Sequence, residues 1–463
     1  MAGLFEGLEL GKRALIAHQY GLTTAGHNMA NVNTPGYSRQ RVNLSATDPM
    51  VTSVGRFGSG VRISSVLQVR DLFLTAQYRQ GNDQLNRWSA RQQAMNEVEN
   101  VFQEPSDEGF NKTLDEFFAA WQTLSQNPES SAGRAAVREQ ASLAVNAFQQ
   151  MSNRLADLEQ SLDDQVEGLV TKINGLGENI AELNRQIARS ELGGNKANDL
   201  RDRRDQLIDE LSQYADVRTI EMKNGVERVF LGSMELVEQS SYNPLATVTV
   251  GAGDQTLTTV VWQGGQVPVT VGGGELAGLL EARDELLPQY RSQLDELAAS
   301  FVQQVNTLHR TGYGLDGATG RDFFMSTGTT ADDIALSSDV QNDLNRIGAS
   351  LSGGPGDNAV ALSIANLQKG LTMNAGTSTF NDFYAKIVGT VGVRSSEAND
   401  AKTNAELVLQ QIEFSRQSVQ GVSLDEETIS LIKAQQAYSA AAKVVATIDS
   451  AINTLINDMG VGR

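Results

Sequence analysis

The chain has 463 residues, more than one hydrophobic core usually supports, so the sequence predicts two or more domains. Aliphatic, aromatic and Met residues make up 40% and aromatics only 6%, a composition suited to long helices packed side by side rather than to a thick globular core. A net charge of −19 argues against nucleic acid or an anionic membrane as partner, and the absence of cysteine excludes a disulfide scaffold, a thiolate zinc site and a Cys nucleophile.

The chain opens with MAGLFEGLELGKRALIAHQYGL, where Glu6, Glu9, Lys12 and Arg13 interrupt any apolar run, so no Sec signal is expected. No window approaches the length of a membrane-spanning helix. Leu8, Leu15, Leu22 and Met29 recur every seven residues, with Gly11, His18, Ala25 and Val32 three after each. This is an a/d stripe weakened at d by Gly11 and His18. Asn33-Thr34-Pro35-Gly36 stops it with turn formers. Residues 60–69 alternate and predict a strand. Helices are predicted over 71–103, from about Gly133 to Glu191, and over 197–214. The second of these would be ~85 Å long, too long for a compact domain. Residues 217–272 read as β: VRTIEM and VERVFL flank Asn224-Gly225, a strong hairpin signal, and ATVTV, TLTTVVW and VPVTV follow. Helix returns over 275–310, where Pro288 is a candidate kink, and over 380–418, with an irregular Gly/Asp/Ser-rich stretch at 315–356 between them. The final stripe is Leu431, Ala434, Tyr438, Ala441, Val445, Ile448, Ile452, Leu455 and Met459, introduced by a Ser423–Glu426 capping box.

The expected fold is therefore mainly α: an elongated multi-domain protein of long helices in coiled-coil-like bundles, with N- and C-terminal helices paired and a small β-rich insertion. The expected division is 1–65 with 418–463, a rod of 66–216 with 273–417, and the insertion at 217–272. Residues 1–42 carry Lys12, Arg13, Arg39 and Arg41 against Glu6 and Glu9, a net +2, whereas 420–463 is net −2, so opposite charges mildly favour the pairing.

Catalytic patterns are missing. His18, His27 and His309 are scattered, outside any H-E-x-x-H arrangement, and no G-x-S-x-G elbow occurs. Gly7–Arg13 fails as a phosphate loop, because Glu6 stands at the first glycine position and Arg13 replaces the Ser/Thr. No calcium-loop pattern surrounds Asp316-Gly317 or Asp332-Asp333. Arg201-Asp202-Arg203-Arg204-Asp205 reads as a solvated, self-paired helix face. Neither enzyme activity nor a metal or cofactor is expected. The two terminal stripes are long, Ala-rich and poor in aromatics, a surface equally suited to internal packing or to neighbouring subunits.

Residues 26–41, GHNMANVNTPGYSRQR, resemble the N-terminal signature of the flagellar axial proteins, with matches at Ala30, Asn31, Thr34, Gly36 and Tyr37. SLDEETISLIKAQQAYSAAAKVVATID (423–449) resembles the C-terminal motif of the same proteins, through Glu426, Glu427, Leu431, Gln435 or Gln436, Ala437, Tyr438, Ala440 and Ala441. The extension Ser38-Arg39-Gln40 and the segment TGYGLDGATGRDFF (311–324) look specifically like the hook-associated branch that joins hook to filament. The resemblance covers both ends and scattered interior segments but not the β insertion. It implies a non-catalytic structural adaptor, exported without cleavage by the flagellar type III apparatus to the hook–filament junction outside the cell. The implied partners are copies of itself in a ring, the hook protein, the second junction protein, and a cytosolic export chaperone at the C-terminal helix, with no nucleic acid or membrane. The assembly residues would be Leu8, Leu15, Leu22, Met29, Leu431, Tyr438, Val445, Ile448, Ile452 and Leu455. Alternatives are another axial subunit (second junction protein, hook protein or flagellin), one with an enzymatic insertion, or a cytosolic coiled-coil scaffold.

Overall fold

A computed structural model describes residues 2–52, 55–102, 109–252 and 255–457. Met459 of the C-terminal stripe lies outside them. The chain starts with helix α1 (Ala2–Ala30) and a β-hairpin of β1 (Gln40–Ala46) and β4 (Val61–Gln68), extended at its tip by β2 (Met50–Thr52) and β3 (Gly55–Phe57). Long helices α2 (Leu72–Phe102), α3 (Phe110–Gln126), α4 (Ser131–Ser190) and α5 (Asn198–Tyr214) follow. Ser130 caps α4, its Oγ accepting from Gly133 N, and at 60 residues the helix is ~90 Å long.

The insertion holds two antiparallel sheets laid against α4. One is β5 (Val217–Glu221), β6 (Glu227–Leu231), β7 (Met234–Glu238) and β8 (Ser241–Tyr242) in sequential order; the other is β9 (Leu245–Ala252), β10 (Gln255–Trp262) and β11 (Val267–Pro268). The Asn224-Gly225 turn forms as expected, with Gly225 at φ +80°. A side chain there would also strike Glu191 and Arg201. The sheets are pinned by Asn174 to Leu245, by Asn184 to Glu227 and Gln239, and by buried Asp163, which accepts from Thr258 and pairs with Arg283.

Then come α6 (Gly274–Glu281), α7 (Leu287–His309), short α8 (Ser338–Asn342) and α9 (Ala359–Asn366), α10 (Phe380–Gln420) and α11 (Leu424–Asn457). The interruption expected at Pro288 is a π turn over Ala282–Leu286, which passes directly into α7 with the proline in its first turn. α10 starts with a full capping box between Thr379 and Asp382. At α11 only half the expected box forms: Glu426 N approaches Ser423 Oγ at 3.4 Å, while the Glu426 carboxylate is taken by Arg39.

Every member of the continuous apolar core lies between Ala90 and Val391. The lean aromatic content is concentrated there, contrary to the expectation of side-by-side rods alone. Phe117, Phe118, Trp121, Phe148, Phe301, Phe323, Phe324 and Phe380 pack edge-to-face or tilted around α3, with Phe118 stacked on Phe380. α3 was not anticipated from the sequence. The stretch 315–356 is irregular but not peripheral, since it buries Phe323, Phe324, Ile334, Val340 and Ile347. No described helix is long and apolar enough to cross a membrane.

Candidate assembly site at the terminal helices

α1 and α11 pair antiparallel, and their closest approach is made by glycine. An ideal Cβ on Gly11 would stand 2.5 Å from Val445 Cγ2, one on Gly7 3.0 Å from Ile448 Cδ1, and one on Gly21 3.5 Å from Ala434 Cβ. Gly11, read above as a weak point of the stripe, is thus its tightest contact. Leu8, Leu15, Leu22 and Met29 are half-buried and flank this seam, while Gly11, Ala17, Ala25 and Asn28 are the buried positions of α1. Leu431, Val445, Ile448, Ile452 and Leu455 are half-buried on α11, and Tyr438 is exposed at the rim. The missed signal was the four-residue spacing of Gly7 and Gly11, which permits close backbone approach. The outer faces stay apolar: Phe5, Ile16 and Tyr20 on α1, with Ile429, Ile432, Val444 and Ile456 on α11, are all exposed. A helix apolar on several sides is ordinarily a buried one.

The N-terminal motif ties this pair to the rest of the molecule. After Ala30 the chain turns tightly: Thr34 Oγ1 donates to Asn31 Oδ1 at 3.1 Å, and Gly36 adopts φ +76° with Gln206 against it. Tyr37 is thereby returned to α1, where its hydroxyl donates to Asn28 Oδ1 at 2.7 Å and lies 3.0 Å from His27 Nδ1. Burial, reinforced by Asp199, Asp202 and Glu427, pushes the Tyr37 phenol well above its usual range, so it stays a donor. Asn28, outside the matched pattern, is the hub. Its amide donates to Gln40 O and Glu427 Oε2 and its oxygen accepts from Gln40 N and Tyr37, which fills all four of its hydrogen-bonding positions. Arg39 closes the clamp, at 2.6 Å from both Glu427 Oε1 and Glu426 Oε2.

The clamp rests on α5. Asp202 accepts from Ser38 N at 3.2 Å and Gln68 Nε2 at 2.7 Å, and Gln40 donates to Asp199 at 2.9 Å. Burial raises the Asp202 carboxyl, partly offset by those hydrogen bonds. The 201–205 run is accordingly not the solvated face expected of it: Arg201, Asp202, Arg204 and Asp205 are buried, because α5 is wedged between α2, α4 and the insertion. Arg79 reaches Asp209 at 2.7 Å, Arg204 reaches Glu227 at 3.0 Å, and Arg201 lies 2.6 Å from both Glu191 and Glu221. Although burial opposes it, hydrogen bonds from Arg201 and Ala197 N hold the Glu191 carboxyl down at about 2. Arg416 of α10 joins through Asp209 at 2.6 Å and covers the Tyr78 ring at 3.7 Å. Beside this network a polar cleft of about 1010 Å³ opens, walled by residues 32–39, the C-terminal half of α5, the end of α10 and the start of α11.

This geometry is a joint that ties the terminal pair to α5. Residues 95–324 match the family model described as the flagellar hook-associated protein FlgK helical domain, and residues 416–458 match the flagellar basal body rod FlgEFG protein C-terminal model. The chain is 32% identical to flagellar hook-associated protein 1 of Bacillus subtilis (strain 168) over the whole of both chains. It is 28% identical to that of Salmonella typhimurium and 27% identical to that of Escherichia coli (strain K12), covering 96% of this chain and 98% of theirs in each case. The flagellar hook junction protein FlgK from Burkholderia pseudomallei shares the fold, with a TM-score of 0.68 and 18% identity over 74% of this chain and 100% of that one. The chain belongs to the flagellar hook-associated protein 1 family.

Proposed function

We propose that this chain, a structural subunit of the bacterial flagellum at the hook–filament junction, works there as a non-catalytic adaptor. Copies of it form a ring through the terminal pair α1/α11, with the hook protein on one side and the second junction protein on the other. It reaches that place outside the cell by flagellar type III export, and a cytosolic chaperone covers α11 beforehand. In this reading 1–65 with 418–463 is the assembly unit, 66–216 with 273–417 the rod that holds it, and 217–272 a small β-rich insertion laid against α4. The matched residues Ala30, Asn31, Thr34, Gly36 and Tyr37 set the angle between assembly unit and rod.

The observation that carries this reading is the contrast between the two ends of the molecule. The rod has a continuous core, whereas the terminal pair buries little beyond Ala17, Ala25 and Ala441 and leaves Phe5, Tyr20, Ile429 and Val444 in solvent. Such a surface gains its stability when neighbours cover it.

Ile448→Asp tests the seam. A carboxylate beside Gly7 faces an apolar contact and costs several kcal/mol if buried unpaired. The variant should melt like the wild type, because the core does not include α11, yet fail to hold filaments, so that flagellin leaks into the medium. Lys443, which is exposed, should tolerate the same change. Normal swimming by Ile448→Asp cells would reject the seam as the assembly interface. Immunogold labelling away from the hook–filament boundary would reject the placement.

A further inference from the structure

The joint presents opposite charge on two different surfaces. The hairpin β1–β4 carries Arg41, Arg56 and Arg62 against the single acid Asp48, a local net +2 within a chain of −19. All three arginines are exposed, and among the described residues none forms an ion pair. Arg62 only donates to Ser45 Oγ at 3.1 Å. Leu67, the cross-strand partner of Arg41, is exposed beside it. The hairpin runs back along α1, where Arg13 donates to Ser59 O, and its other described contacts are with α5, through Asn198, Asp199 and Asp202.

The polar cleft has the converse character. Its charged walls are Arg39, Arg70 and Arg416 against Asp205, Asp209, Glu210, Glu413 and Glu426, a net −2. Each of these arginines is already held by acids of the same cleft. Glu210 is exposed and forms no ion pair among the described residues. Gln206, Gln213, Gln417 and Gln420 add amides suited to a polypeptide edge. Hairpin and cleft meet different parts of α5. Asn198, Asp199 and Asp202 serve the hairpin side, whereas Asp205 to Gln213 line the cleft, and no residue of 40–69 is among its walls. One molecule therefore cannot satisfy its own pair of surfaces without dismantling the joint.

We propose that the hairpin of one copy, through Arg41 and Arg62, docks into the cleft of the next copy, against Glu210 and its neighbours. Two different complementary patches on each subunit make a head-to-tail contact, and such a contact propagates around a ring or helix rather than stopping at a dimer. The charges select and orient the neighbour, and the apolar outer faces of α1 and α11 then close over it. This inference rests on the ring proposed above.

The chain has no cysteine, so pairs can be introduced cleanly. Flagella are isolated from cells carrying Arg62→Cys with Glu210→Cys in one chain, and the protein is first located by immunogold. After oxidation the double variant should run as a ladder of dimers and higher multiples. Either single variant should run as monomer. In parallel, Arg62→Glu should lose swimming, and adding Glu210→Arg should restore it. Labelling at the junction without a ladder, or wild-type swimming by Arg62→Glu, overturns the docking and leaves the junction assignment intact. Dimers from a single-cysteine variant overturn the head-to-tail geometry. Absence of label from the junction removes the ring itself and the docking with it.

Discussion

His309 shows how single side chains hold the irregular segment that follows α7. Its Nδ1 donates to Arg321 O at 2.8 Å and its Nε2 accepts from Gly348 N at 2.8 Å, so only the neutral ring satisfies both. Burial lowers its pKa from 6.5 to about 4, and the unfolded chain therefore takes the proton first as pH falls. Stability should drop between about pH 6.5 and about pH 4, by roughly 1.4 kcal/mol per unit from this group, and be insensitive to it above that window. Thermal melting against pH checks this, with His309→Gln expected to be less stable but flatter over the window. Glu427 is a second test. Glu427→Ala leaves the Asn28 amide and the Arg39 guanidinium short of an acceptor, a cost of about 1–3 kcal/mol at a buried site. That cost should appear as lost filament retention, with the melting of the core unchanged. Of these residues the sequence exposed only part. The turn formers Thr34 and Gly36 announce themselves chemically, and Glu426 and Glu427 stand out as an acidic pair. Asn28 does not, because an amide on a helix gives no hint that four hydrogen bonds converge on it from residues up to 399 positions away. The buried Arg201–Asp205 run misled for the same reason: i,i+4 charge spacing describes an isolated helix and says nothing of what the fold lays over it.

At the level of elements, periodicity located the long helices within a few residues, since stripes such as Leu162 to Ile187 on α4 repeat often enough to outweigh local noise. It failed where length or chemistry gave it little purchase. α3 is 17 residues long with Phe and Trp crowded on one face, and the sequence just before it is rich in acidic residues and ends in glycine. β1 alternates over seven residues but pairs with β4 only after a long excursion and a register shift between Asn43 and Leu44. The α1/α11 seam inverts the usual reading, because the residues that matter are those without side chains. Gly11→Leu should force the helices apart at Val445, whereas the pair Gly11→Ala with Val445→Ala should be tolerated far better than Gly11→Ala alone. Retention of filaments in motile cells reads out both.

Across the whole molecule, stability is distributed unevenly. The core between Ala90 and Val391 should unfold as the cooperative unit, and amide exchange in the monomer should be slowest there. Residues 2–30 and 424–457, paired by a narrow seam, should exchange faster in the monomer and slow markedly in isolated flagella. Equal protection of both regions in the free protein would mean that the terminal pair needs no neighbours.

The antiparallel seam also has a mechanical consequence. Gly7 opposite Ile448 and Asn28 opposite Glu427 place the start of α1 and the end of α11 at the same end of the pair. A pull on both termini therefore loads the rungs one at a time, like a zipper, rather than all together in shear. The glycine rungs should part at low force and without a sharp rip. Resistance should then rise abruptly on reaching the Asn28–Tyr37–Arg39–Glu427 clamp, so that tension tugging at the ends spends itself in the zipper before it reaches the rod.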